Sequence, residues 1–187
     1  MMKKSFFVLL FNFLIGVSFA QTLQLKTDSL ALAINEVGTV EGCRAHRNTV
    51  NAAAAYCLYT PYLKSDIVHQ ACRKLIMEWA ISTDELSLSI SMNMHKGLIG
   101  KDGKDGKLML AYFAAANMYA INNGISETTL DAYSYAMEET LQFYERNKKE
   151  FGKSKYWEKL HKLTKEERIA RYTDLYTMDH SPASSNH

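Results

Sequence analysis

The sequence predicts an all-α protein, a single irregular bundle of about six or seven helices. Three observations lead there. Apolar residues recur at helical spacing, most clearly at Ile67, Val68, Ala71, Cys72, Leu75, Ile76 and Trp79. Only two prolines, Pro61 and Pro182, interrupt 187 residues, and proline is the strongest helix breaker. The chain is also rich in Ala, Leu, Glu and Lys and holds nine Met, all good helix formers.

Residues 1–20 read as a secretory signal peptide. Lys3 and Lys4 precede an apolar run from Phe6 to Val17, and Ser18-Phe19-Ala20 offers the small residues a signal peptidase needs. The run is shorter than the roughly 20 apolar residues that cross a bilayer. The expectation is an exported protein, periplasmic or secreted, that does not span the membrane after cleavage. The helical domain is expected over 21–177, with 178–187 a disordered tail.

Within that domain, Thr27 caps a first helix over Asp28–Val37, stopped by Gly38. A second helix is expected over Val40–Tyr59, with Cys43, Val50 and Cys57 seven apart on one face, ended by Thr60-Pro61. The stripe through Trp79 forms a third. Residues 86–94 then alternate apolar with Ser or Asn, as a short strand would, but Ser82 and Glu85 have capping-box spacing. Helix is the favoured reading there, and only Leu23–Lys26 offers a strand partner. The glycine-rich stretch Gly97–Gly106 is a loop. Its Asp and Gly alternation lacks the ligand pattern of a calcium loop, because lysines stand where ligands are needed. Lys107–Asn122 is apolar almost all round and belongs at the bundle centre. Ser126 caps the next helix, with Leu130, Tyr133, Met137, Leu141 and Tyr144 on one face up to Gly152. Two shorter helices follow, Lys155–Leu163 and Lys165–Tyr176, with a capping box at Thr164 and Glu167 between them.

The chain carries 22 basic and 20 acidic residues. Loss of Lys3 and Lys4 with the signal leaves them balanced, so overall charge gives no reason to expect a nucleic-acid partner. Charge is concentrated locally instead. Glu145–Arg171 holds ten Lys or Arg and five Glu. Lys155, Lys159, Lys162, Arg168 and Arg171 are the candidate face for an anionic surface or an acidic envelope or extracellular protein. A solvated helix face with its aromatics tucked inward is the plainer alternative.

Cys43-x-x-His46 and His69-x-x-Cys72 are the candidate metal donors, since two Cys and two His can bind zinc. Their spacing matches no zinc-finger pattern. In a hairpin turning near Pro61 the two pairs are mismatched by roughly 9 Å along the axis, so packed thiols and partly exposed histidines are the stronger reading. An oxidising compartment permits a disulfide. Cys43 and Cys57 on one helix stand about 21 Å apart, too far to bridge. That leaves Cys43–Cys72, slightly preferred, and Cys57–Cys72. No cofactor is expected, since the chain has no Cys-x-x-Cys-His haem motif, no Gly-x-Ser-x-Gly and no His-Glu-x-x-His. The leading expectation is therefore a non-enzymatic binding or interaction protein. The alternatives are an enzyme with dispersed catalytic residues and a small-ligand or metal carrier.

Overall fold

The computed structural model describes residues 27–87 and 106–180. These form an all-α bundle. Its helices are α1 (Thr27–Glu36), α2 (Val40–Ala45), α3 (Arg47–Tyr59), α4 (Ile67–Ser82), α5 (Gly106–Asn123), α6 (Leu130–Phe151), α7 (Lys155–His161) and α8 (Lys165–His180). None of them is both long and apolar enough to cross a membrane.

The centre is α5, as its all-round apolar character requires. It packs against α3, α4 and α6, while α1 covers α4, and α7 and α8 both lie on α6. Alanines supply much of its buried surface: Ala111, Ala114, Ala115, Ala116 and Ala120 are all buried. Small side chains let three neighbours approach one axis closely, which is why the helix tolerates so many partners. Tyr112 on α5 itself and Trp79, Tyr133, Tyr144, Trp157 and Tyr172 on the other helices are the large fully buried groups.

Several local expectations change in the folded chain. The helix expected over 40–59 breaks at His46, whose φ of −99° and ψ of 10° leave the helical region. The break follows the tight α1–α2 corner. His46 Nε2 meets Glu36 Oε2 at 2.6 Å, and Gly42 sits so close that a Cβ would overlap the Glu36 carbonyl. Cys43, Val50 and Cys57 nevertheless all face the core. Ser82 does not open a helix; it closes α4, with Thr83 as C-cap. Ser87 makes an isolated parallel bridge with Glu127; the strand partner expected for it, Leu23–Lys26, lies outside the described residues. Residues 88–94, the rest of the helix-or-strand segment, lie outside the described residues, as does the Asp/Gly loop before Gly106. Ser126 is drawn into that bridge through its carbonyl. The cap of α6 is therefore Thr129, whose hydroxyl accepts from the Ala132 amide at 3.2 Å. The Thr164–Glu167 capping box forms in both directions, at 2.7 and 3.2 Å. Gly152 ends α6 at φ 75°, a left-handed value that favours glycine. α8 runs on through His180, past residue 177; residues 181–187 and 1–26 lie outside the described residues.

Candidate functional site

Two places gather chemically active side chains. The first is the α3–α4 hairpin. Asp66 caps α4, its carboxylate accepting from the Val68 and His69 amides at 2.9 and 3.1 Å and from the Tyr56 hydroxyl at 2.9 Å. Burial alone would raise the Asp66 carboxyl, but those hydrogen bonds outweigh it and hold it below its ordinary value. Burial of the Tyr56 hydroxyl, together with the same carboxylate, pushes Tyr56 up to about 12.

This cap fixes the phase of α4. His69 turns inward and is 2% exposed, with the edges of Tyr56 and Tyr62 against it at centroid distances of 6.1 and 5.3 Å. Its Nε2 is buried without a hydrogen-bond partner among the described residues. Burial pushes the imidazole below its ordinary value, and the nearby Asp66 carboxylate only partly offsets this. Ile67, expected in the buried stripe, is 78% exposed instead.

The candidate zinc donors do not come together. Cys43 Sγ donates to the Val37 carbonyl at 3.1 Å. His46 is tied to Glu36, and His69 is enclosed by tyrosines. Among the described residues no group of three or more His, Cys, Asp or Glu is placed to hold a metal ion. Nor does Cys43 face Cys72. The Cys43 carbonyl takes a hydrogen bond from Trp79 Nε1 at 3.1 Å, two helical turns along α4 from Cys72. The cysteine facing the part of α4 that carries Cys72 is Cys57, whose thiol lies 3.9 Å from the His69 carbonyl, one turn before Cys72. All three thiols are free and buried.

The second place is the face built by α6, α7 and α8. Lys155, Lys159 and Lys162 follow the i, i+4, i+7 spacing of one helical face, and all three are exposed, as is Arg171. None of these four takes part in an ion pair among the described residues. The opposite side of α7 holds Trp157 and Leu160, both buried. Trp157 stacks on Tyr144 with ring centroids 6.3 Å apart. Tyr144 donates to Glu158 at 2.9 Å and accepts from the Ser154 amide at 2.8 Å, which pins both ends of the connection into α7.

Arg168, expected in this face, does a different job. It grips Glu138 with Nε at 2.6 Å and Nη2 at 2.9 Å, and Tyr172 donates to the same carboxylate at 2.9 Å. Its charge is spent on holding α8 to α6. The aromatics Trp157 and Tyr172 likewise belong to the core. An open cleft of about 430 Å³ runs beside this clamp, lined by Glu138, Glu145, Arg146, His161 and Arg168 among others. Its acids and bases are largely matched, and Arg146 donates to the Leu58 carbonyl at 2.8 Å, closing the end of α3.

Sequence reasoning missed Asn147. It sits at a kink in α6 with φ −112°, accepts from the Tyr62 amide at 2.8 Å and donates to the Phe143 carbonyl at 2.9 Å. Its one visible signal is an asparagine inside a long charged helix, where it is a poor helix former. Comparison with protein-family models, with curated proteins and with solved structures returned no match.

Proposed function

We propose that the chain is an exported, non-enzymatic interaction protein whose contact face is the lysine row of α7 with Arg171. The partner is an anionic surface or an acidic protein outside the cytoplasm. The observation that carries this reading is the row itself. Lys155, Lys159, Lys162 and Arg171 are exposed and outside ion pairs among the described residues, while the helix that bears Lys155 and Lys159 and is capped by Lys162 is fixed from beneath by Trp157 and Leu160. The acid on the same helix, Glu158, is engaged by Lys148 and Tyr144, and a row of like charges is stabilised by an anion brought against it. The signal-like residues 1–20 support the compartment. Two experiments test the reading. Cell fractionation with N-terminal sequencing should find the chain outside the cytoplasm, beginning at Gln21. Binding of that chain to dextran sulfate and to phosphatidylglycerol vesicles should weaken steeply as salt rises.

A further inference from the structure

We infer that Cys57 and Cys72 close to a disulfide when the chain folds in an oxidising compartment, stapling α3 to α4 and leaving Cys43 as the remaining thiol. The inference rests on the export reading for where the bridge forms in the cell, but its geometry stands apart from that reading. Cys57 lies near the end of α3, and Cys72 lies in the second turn of α4. Cys57 Sγ is 3.9 Å from the carbonyl of His69, one turn before Cys72, which sets Cys57 against the stretch of α4 that carries Cys72. Packed helices have axes about 8–10 Å apart, and Cα atoms sit about 2.3 Å off each axis. Facing Cα atoms are therefore separated by about 3.4–5.4 Å, and the upper part of that range is what a disulfide spans. Around Cys57 the α3 face is lined by small Ala53 and Ala54, both fully buried, which favours the close approach.

Burial also dictates when the bridge forms. Cys72 is inaccessible and Cys57 is 2% exposed. The thiolate is the reacting form, and the neighbouring Cys72 thiol together with burial pushes the Cys57 thiol well above its ordinary value. Oxidation of the folded chain is thus slow, and the bridge closes as the hairpin forms. Each thiol gives up a proton and an electron as the S–S bond is made. The two electrons and two protons convert the disulfide of an exported thiol oxidoreductase, or of oxidised glutathione in vitro, to two thiols. Cys43 is excluded from the exchange by position, since it lies beside Trp79 and donates to Val37.

The test refolds the full chain from denaturant in a glutathione redox buffer, alkylates it under non-reducing denaturing conditions and maps tryptic peptides. Cleavage at Arg47, Lys64 and Arg73 separates the three cysteines. The expected result is alkylation at Cys43 alone and a cross-linked pair of peptides carrying Cys57 and Cys72. The same pair is expected from Cys43→Ser. Reduction should then lower Tm by about 6–12 °C, the effect of opening a loop of this length. Three alkylated cysteines, or a bridge containing Cys43, would overturn the inference. The chain isolated from cell fractions distinguishes the two claims. A chain that bridges on refolding but is found reduced in the cytoplasm sustains the pairing and defeats the export reading.

Discussion

The α3–α4 hairpin and the α6–α8 face solve the same problem in opposite ways. Both must place polar side chains in or against a helical core. The hairpin buries its polar groups neutral: His69 is held below its ordinary pKa, and Cys57 is kept as a thiol. The α6–α8 face keeps its groups charged and pairs them, with Glu138 taking Arg168 and Tyr172, and Glu158 taking Lys148 and Tyr144. The lysines left over lie on the outside of α7. A neutral buried cluster is suited to stability and redox control. A charged, half-wet cluster is suited to presenting a helix face at a fixed angle, and that contrast is why the proposed binding surface is assigned to the C-terminal end.

The largest effect should come from the anchor beneath the lysine row. Trp157→Ala removes a fully buried indole from under a seven-residue helix. Urea denaturation should register a loss of about 3–5 kcal/mol, and polyanion binding should fall with it, because so short a helix does not hold itself together in water. If binding survives intact, the row does not depend on its anchor. Next comes the clamp. Glu138→Ala leaves Arg168 and the Tyr172 hydroxyl without their acceptor, at a cost of about 2 kcal/mol. A double-mutant cycle with Arg168→Met should recover part of that loss; strict additivity would show that the pair is not coupled.

Smaller still is the pH response of the hairpin. The folded state lowers the His69 pKa below its ordinary 6.5. Below that pH the unfolded chain takes up a proton that the folded chain resists, so stability falls as pH drops. Between pH 7.5 and 5.5 the wild type should lose stability, and the loss should flatten in His69→Gln. Asp66, also held low, acts in the same direction, but only below its ordinary 3.8. Burial raises Glu139 above 4.5, so it opposes the trend, costing stability as pH rises above that value. A profile unchanged by His69→Gln would show that the imidazole is not responsible.

The helical class and the central place of α5 are legible in the sequence because periodicity and all-round apolarity are local properties. The capping box at Thr164 is legible for the same reason, since both of its partners lie within one turn. The phase of α4 is less so. The stripe containing Ile67 has good spacing, yet Asp66 takes both the Val68 and His69 amides and turns His69 inward. The facing of Cys57 and Cys72 depends on how residues 60–66 are tied down, and that tie is made by Asn147, 85 residues away from Tyr62. The lysine row is readable as a spacing, but the removal of Arg168 from it is not, because Glu138 lies on another helix. Distances of that kind are set by tertiary packing and have no signature in local sequence.

Whether the lysine row binds anions decides the function proposed for this face. The most direct measurement compares the mature wild-type chain with a Lys155→Glu, Lys159→Glu, Lys162→Glu variant, each titrated with dextran sulfate and phosphatidylglycerol vesicles at low and at about 0.15 M salt. Exposed residues away from packing contribute little to folding, so the two proteins should share one urea midpoint. The variant should bind at least tenfold more weakly at low salt, and the difference should shrink as salt rises. Equal binding by two equally folded proteins, or no binding by the wild type, would contradict the assignment of this face.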